Sequence, residues 1–260
     1  MSTDLIDENS KIHETAVIGK NVRIGPWCSI GKNVTIGDGS ILESQIVIRS
    51  NTKLGKNNRI FQFSSIGEDP ADKKFQGEDT WLEVGDNNVF REGVTAHRGT
   101  GSGGGLTKIG NDNLLMPYVH VAHDCVVGNN TVFANNVGIS GHVEVGDWAI
   151  LGGYAGVNQF LKIGAHAMVG GMTHITNDIP AFMIVSGRPA TVRSINAIGL
   201  ERRGFEKDTI GDLREAFKII YKRKYSLQEA VDQLKAMREG CESLQILIDS
   251  LESSEKGIHR

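Results

Sequence analysis

Four of the chain's eight histidines fall in or near one stretch: His97, His120, His123 and His142. Imidazole titrates near neutrality, so a positioned histidine can take a proton from a reacting group and return it later. Asp124 follows His123, and a carboxylate beside an imidazole can fix its tautomer and raise its basicity. Adjacency alone is weak support, because neighbouring residues need not point the same way. The spacing adds more. His123, Gly141 and Gln159 are evenly spaced, and the same interval separates Asp124 from His142. If the chain retraced its path at that interval, His123, Gly141 and Gln159 would form one column. Asp124 and His142 would form the next. A base, a carboxylate, a second imidazole, an amide and an exposed glycine N–H would then share one edge. A single histidine at such a place is usually ordinary surface; the cluster points to general-base chemistry. The other histidines, His13, His166, His174 and His259, are not obviously part of it.

The chain does carry the required repeat. Every sixth residue from Ile12 to Ile66 is aliphatic, and the rhythm returns in phase at Val84 and Phe90. It then slips by one residue and runs from Ile109 through Leu115, Val121, Val127 and Phe133 to Ile175. Four places after many of these apolar residues stands a small or β-branched one, such as Val22, Cys28, Val34, Cys125, Thr131 or Val137. Glycine follows many of the aliphatic positions, for example Gly19, Gly25, Gly31, Gly37, Gly110 and Gly128, as bends with unusual backbone angles would ask. A period of six is neither helical nor a simple alternation. It predicts a parallel solenoid in which each hexad is a short strand plus a corner and three hexads close one triangular coil. Three hexads is the interval that separates His123 from Gly141. Coils would stack at ~4.8 Å and bond to their neighbours.

Bulk composition agrees. The 260 residues include 32 glycines and 5 prolines with only 6% aromatics, which suits short strands around an aliphatic core. Net charge is −3, so charge gives no argument for a nucleic-acid partner. Cys28, Cys125 and Cys241 are far apart and odd in number, which argues against a disulfide framework and suits a reducing compartment. Cys28 and Cys125 occupy inward slots and read as core rather than nucleophiles. The start of the chain has no basic and apolar leader, and no apolar run approaches membrane-span length, so a cytoplasmic location is expected. No Walker loop, dinucleotide fingerprint or HExxH is present. The glycine-rich stretch 101–105 precedes another hexad rather than a helix, so no cofactor is expected there.

Two segments break the rhythm, 68–83 and 97–108. They read as loops thrown out of the solenoid, either tolerated insertions or carriers of function. The hexads fade near Pro180, which predicts a β-helix domain over 1–185 and a small helical domain over 186–260. One helix starts near Asp208. Ser226 with Glu229 forms a capping box before a second, Gly240 marks its stop, and Leu244 to Leu251 suggest a last helix. Arg202, Arg203, Lys218, Lys222, Arg223 and Lys224 cluster in this part, as a solvated face or as a dock for an acidic protein.

Several segments resemble one family closely: HRGT (97–100), GGGLTKIG (103–110), DNLLM (112–116), HVAHDC (120–125), ILGG (150–153), IGAHAMVGG (163–171) and LERRGF (200–205). They are similar to the UDP-N-acetylglucosamine O-acyltransferases, which begin lipid A synthesis, and the similarity spans nearly the whole chain. The resemblance implies a left-handed β-helix, against the usual right-handed rule for parallel crossovers. It implies a homotrimer with active sites between subunits. The implied reaction moves an (R)-3-hydroxyacyl group from acyl carrier protein to the 3-hydroxyl of UDP-N-acetylglucosamine, without metal or covalent intermediate. His123 would be the general base, Asp124 its orienting carboxylate, and the Gly141 N–H the oxyanion donor. Asp72 and Lys74 would contact the nucleotide sugar. His97, His120, His142 and Gln159 would line the cleft. Asn196, Arg202 and Arg203 would hold uridine and phosphates. Glycine at 171 would leave room for a long acyl chain of the myristoyl class, unless it is only a turn glycine. Two positions depart from the family: Asn158, where a histidine is frequent, and Ile198, where an acidic residue is.

Two rival enzymes and one non-enzyme remain at this level. The sister lipid A N-acyltransferase normally carries an extra N-terminal domain, for which hexads beginning at Ile12 leave no room. A hexapeptide-repeat zinc hydratase of the carbonic anhydrase type would place histidines on a metal. A solenoid serving only as a structural platform would bind neither UDP-sugar nor carrier protein.

Overall fold

The computed structural model describes residues 5–237 and 241–260. Twenty-five short strands, from Lys11–Ile12 to His174–Ile175, wind as a left-handed parallel β-helix. They distribute over three sheets that form the sides of a triangular prism. Sheet I has nine of them and begins with Lys11–Ile12; sheet II has eight and begins with Val17–Ile18; sheet III has eight, beginning with Arg23–Ile24, and gains two further strands beyond the coils. The register holds the three-hexad interval, pairing Lys11 with Ser29 and Lys108 with Val126. At the two excursions it stretches: Ser65 pairs with Thr95 and Thr95 with His120. The flanking strands Ser65–Glu68, Trp81–Val84, Thr95–His97 and Leu106–Ile109 take up the ends of both segments, so the loops proper are shorter than the sequence suggests. Thr95–His97 also supplies the hexad that the apolar rhythm skipped, with Ala96 buried at its centre.

From Ile24 onward the inward aliphatic residues are almost completely buried, as are Phe90 and Phe133. Each such burial is worth about 1.5–3 kcal/mol against exposure. The inward slot beside them is not always apolar. Asn58, Asn88 and Asn113 fill it in successive coils near the edge between sheets II and III. Asn88 donates from Nδ2 to Asn58 Oδ1 (3.1 Å) and to the Gly110 carbonyl (2.9 Å), while Asn113 donates to the Gly128 carbonyl (2.9 Å). These amides satisfy corner carbonyls that a small apolar residue would leave unpaired.

The reading of the glycines needs correction. Gly25 and Gly37 do not adopt left-handed angles. They are demanded by coil-to-coil approach, since a Cβ on Gly25 would lie 2.5 Å from the Glu43 carbonyl oxygen. The left-handed residue of each corner comes two positions later. Asparagine holds it at Asn21, Asn33, Asn51, Asn57 and Asn130, and other residues hold it at Asp124 (φ 59°), His142 (φ 62°), Trp148, Phe160 and His166. At most corners its N–H is tied to a carbonyl of the preceding coil, as in His142 to His123 (3.0 Å) and Trp148 to Asn129 (2.8 Å), and at Asn33 and Asp124 a threonine hydroxyl of that coil takes the carbonyl's place. That bond fixes the corner, so side chains one coil apart stack.

Beyond the coils, Met183–Ser186 extends sheet III and pairs antiparallel with Thr191–Ile195. Helices α1 (Ala197–Arg202), α2 (Lys207–Tyr221), α3 (Leu227–Lys235) and α4 (Glu242–Glu252) follow. The antiparallel hairpin and α1 have no counterpart in the sequence reading: so short a helix cannot display a helical period. The Ser226–Glu229 capping box forms as expected, with bonds of 2.7 and 3.2 Å. The proposed stop at Gly240 lies outside the described residues. The helices bury Leu213, Ile220, Val231, Leu234, Leu247 and Leu251 in one cluster continuous with the solenoid core. No helix among the described residues is long and apolar enough to cross a membrane.

Candidate active site

Asp124 is the anchor of the histidine cluster. It sits at the corner between sheets I and II, and its carboxylate is almost wholly buried. Oδ1 accepts from the Thr100 N–H (2.8 Å), and Oδ2 accepts from the Thr100 hydroxyl (2.7 Å). His123 Nδ1 lies 2.8 Å from the same Oδ2, and His142 Nε2 lies 3.5 Å from it. The Thr107 hydroxyl accepts from the Asp124 N–H (2.7 Å). The loop after His97 therefore wraps the carboxylate. Gly103, in the glycine-rich stretch, closes that wrap, because a Cβ there would fall 2.2 Å from the Asp124 carboxyl carbon. The stretch is an aspartate cradle and not a phosphate loop. The sequence neighbours His123 and Asp124 do point together, and the pairing that adjacency supported only weakly is a direct hydrogen bond.

With Nδ1 donating to Asp124, Nε2 of His123 is left as the basic nitrogen. Gly141 lies directly over this ring: a Cβ would meet His123 Cε1 at 2.5 Å and Nε2 at 2.7 Å. Its carbonyl accepts from the Phe160 N–H (3.1 Å), while its own N–H has no protein acceptor among the described residues. A free N–H thus stands beside the base. His142 meets His123 edge to face, with centroids 5.3 Å apart, and stacks on Phe160 at 4.3 Å. Phe160 is the next member of that column, one coil after His142; the interval is present in the sequence, and Phe160 is a site residue that the sequence reading missed. Gln159 follows Gly141 in its column and is exposed.

His97 and His120 form a second edge-to-face pair, 4.9 Å between centroids. His120 Nδ1 shares a hydrogen bond with the Thr95 hydroxyl (2.8 Å). Burial, with His97 and His123 nearby, pushes the His120 imidazole down to about 4, and burial likewise lowers His97. Both rings are uncharged near neutrality. His97 Nδ1 is buried without a hydrogen-bond partner in the protein. In the first loop the Asp72 carboxylate accepts from the Lys74 N–H (3.0 Å), and the exposed Lys74 ammonium can meet an anion.

The remaining expected residues stand elsewhere. Arg203 lies beside Trp148 and His166 at the edge between sheets II and III, a full sheet away from the edge that carries His123. Asn196 is buried and caps α1: Oδ1 accepts from Gly199 N (3.2 Å), and Nδ2 donates to the His166 carbonyl (3.0 Å). Arg202 is exposed on the last turn of α1. Gly171 faces Gly153 in the coil before it, where a Cβ would sit 3.2 Å from the Gly153 carbonyl oxygen. Asn158 shares a hydrogen bond of 2.8 Å with His174 Nε2, and Ile198 is exposed on α1. Cys28 and Cys125 are buried; burial drives the Cys125 thiol up to about 12, which removes it as a nucleophile at neutral pH.

His123, Asp124 and His142 offer ligand atoms within 4.8 Å of one another. The donor set fits a metal poorly. Asp124 Oδ2 already faces the Thr100 hydroxyl and His123 Nδ1 at hydrogen-bond distance. The arrangement is that of a carboxylate orienting an imidazole.

Comparison with known proteins bears on the whole chain. Residues 178–259 match the model for UDP N-acetylglucosamine O-acyltransferase, domain 2, and residues 5–44 and 106–141 match the bacterial transferase hexapeptide. The acyl-[acyl-carrier-protein]–UDP-N-acetylglucosamine O-acyltransferase of Saccharophagus degradans is 56% identical over 222 residues, 85% of this chain and 86% of that protein. Its counterpart in a Psychrobacter species is 51% identical over 259 residues, 99% of this chain and 98% of that one. The structure of LpxA from Acinetobacter baumannii superposes with a TM-score of 0.97 at 49% identity, covering 99% of this chain and all of that one. With agreement of this extent in both sequence and fold, the chain belongs to the UDP-N-acetylglucosamine O-acyltransferase family.

Proposed function

We propose that this enzyme transfers an (R)-3-hydroxyacyl group from acyl carrier protein to the 3-hydroxyl of UDP-N-acetylglucosamine, the opening step of lipid A synthesis. The observation that carries the mechanism is the Asp124–His123–Gly141 stack. His123 Nε2 takes the proton of the sugar hydroxyl while its Nδ1–H stays on Asp124. The hydroxyl oxygen attacks the thioester carbonyl carbon. The tetrahedral oxyanion meets the free Gly141 N–H; such a donor is worth about 3 kcal/mol in the transition state. Collapse breaks the carbon–sulfur bond and expels the carrier thiolate, which receives the proton held by His123. The rings of His97, His120 and His142, with Gln159, line the approach, and Asp72 and Lys74 receive the sugar nucleotide. Glycine at 171 leaves the acyl path open to a chain of the myristoyl class.

Arg202 and Arg203 bind the uridine diphosphate, and Asn196 serves them by capping the helix that bears them. In one chain these residues and His123 lie on different edges of the prism. We therefore read the enzyme as a homotrimer, in which the arginine-bearing edge of one subunit closes the histidine edge of the next. We assign the enzyme to the cytoplasm, and the exposed basic residues at and just beyond the end of α2 to the acidic carrier. Lys218 and Arg223 already share Glu215, so Lys222 and Lys224 are the cations most available to it.

The test is acyl transfer with UDP-N-acetylglucosamine and 3-hydroxymyristoyl acyl carrier protein. His123→Ala lowers kcat by about 10³-fold with an unchanged fold. Activity that survives this change places the base elsewhere in the cluster. Transfer only with the 3-amino sugar or another acyl length moves the specificity and keeps the reaction class. Bound zinc with no transfer at all overturns the reading in favour of a hydratase.

A further inference from the structure

His166 stands outside the histidine cluster, yet aromatic rings surround it closely. Its ring lies parallel to Trp148 (6.3 Å between centroids, 5°) and to Phe182 (5.3 Å, 8°), and Phe205 meets it edge-on at 5.1 Å. Trp148 and His166 are one coil apart and hold successive left-handed corners at the edge between sheets II and III. Arg203 closes over this column. Its Nη1 lies 3.1 Å from His166 Nδ1, its Nη2 donates to the Trp148 carbonyl (3.0 Å), and its guanidinium carbon lies 5.2 Å from the Trp148 ring centroid. The His166 carbonyl accepts from Asn196, the cap of α1.

Arginine has only donors, so His166 Nδ1 must be the acceptor and the ring must be neutral. Burial first, and then the Arg203 charge, hold the imidazole down at about 4 against the opposing pull of Asp147. Both ends of the guanidinium fork are therefore engaged within the chain. Arg202, one residue earlier, is exposed and makes no side-chain hydrogen bond or ion pair among the described residues.

From this division we infer that His166 is a positioning residue of the nucleotide site: through Arg203 and Asn196 it fixes both ends of α1 on the solenoid edge, so that Arg202 alone presents a free guanidinium to the diphosphate. The inference rests on the reading of the arginines given above, and it reassigns Arg203 from ligand to clamp. Arg203 and His166 act on the substrate only through where they hold α1.

The test separates the acceptor from the ring. His166→Phe keeps the stack, at a corner type that Phe63 and Phe160 already occupy, and removes the acceptor. His166→Asn places an oxygen near the site of Nδ1 and suits left-handed angles. Arg203→Lys breaks the same contact from the other side, because an ammonium cannot span both acceptors. His166→Phe and Arg203→Lys are expected to raise KM for UDP-N-acetylglucosamine about 10-fold, with kcat and KM for the acyl carrier protein within about 2-fold, and His166→Asn to recover most of the loss. Arg202→Ala raises the same KM at least as much, with an unchanged melting temperature. If Arg202→Ala raises KM while His166→Phe does not, the clamp is overturned and the reading of Arg202 stands, Arg203→Lys then deciding whether Arg203 is itself a ligand. If Arg202→Ala leaves KM unchanged, the arginine reading falls, and the purpose assigned to His166 falls with it. Equal losses in both Michaelis constants and kcat, unrelieved in His166→Asn, would reduce His166 to a merely structural residue.

Discussion

The edge between sheets I and II and the edge between sheets II and III are built on one backbone plan. Each corner puts one residue at φ near +60° and ties its N–H to the coil before. On the second edge the coils up to that of Asp124 use this position for stability: Asn21, Asn57, Asn87 and Asn130 tolerate left-handed angles, and Asn58, Asn88 and Asn113 line the interior behind them. On the first edge the middle coils place Asp124, His142 and Phe160 at the same position. Phe160 is not a natural left-handed residue and costs of order 1–2 kcal/mol there, whereas Asp124, like asparagine, tolerates the region, and histidine is enriched in it. The coil ladder holds them regardless. A fold that imposes the corner whatever the side chain leaves the side chain free to be chosen for chemistry. Column stacking then brings residues of successive coils into contact without any flexible loop.

A second way to probe the first edge leaves its ionisable groups untouched. Gly141→Ala places a methyl group 2.5–2.7 Å from His123 Cε1 and Nε2, so the ring must move off its bond to Asp124. We expect kcat to fall by about 10²-fold, since both the aim of the base and the oxyanion donor are disturbed. The melting temperature should drop only slightly, because the methyl group faces a side chain at a half-open edge. Steady-state kinetics beside thermal unfolding separates the two. A normal kcat in this variant would mean that the His123 ring is not held where the catalytic reading needs it.

On the second edge the balance should reverse. Asn88→Ala removes the donor to the part-buried Gly110 carbonyl and the acceptor for the buried Asn113 N–H, and leaves a small void. The cost is about 3 kcal/mol of stability, read as a lower midpoint in denaturant with an unchanged slope. Because no catalytic group lies in that column, kcat at room temperature should match the parent. A stable Asn88→Ala variant would show that the interior asparagines are fillers and not hydrogen-bond devices.

The solenoid was legible because its rule is local and repeats: an aliphatic residue every six, from Ile12 onward, survives two insertions. The columns of the site followed by arithmetic, and His123, Gly141, Asp124 and His142 fall where the three-hexad interval put them. What the spacing could not show was direction. That Asp124 turns into a cage made by Thr100, Thr107 and Gly103 depends on how an irregular loop folds back, and no period encodes that. The left-handed position is masked in the sequence because glycine is abundant two residues earlier, where close packing of backbones demands it. His166 gives little sign of its role although Trp148 stands one coil before it. Its partner Arg203 approaches from α1, which lies outside the repeat, so the contact has no signature in the sequence.

The finest test of the comparison is a corner that does nothing but turn. Asn130 holds φ +57° on the second edge, and its side chain makes no hydrogen bond among the described residues, so changing it alters conformational preference and little else. Alanine has a Cβ and no local polar group, so Asn130→Ala should cost about 1 kcal/mol through the left-handed penalty alone. Glycine carries no such penalty in the folded state but gains freedom in the unfolded chain, and Asn130→Gly should fall within a few tenths of the parent. Chemical denaturation of the pair measures the corner term in isolation. If both variants match the parent, the coil ladder sets the angle at no cost, and the first edge then holds Asp124 and His142 without strain. If alanine is worse by the expected amount, a residue without a local polar group, such as Phe160, is held at its corner against the same cost, and the histidine edge keeps that ring in place by its coil ladder.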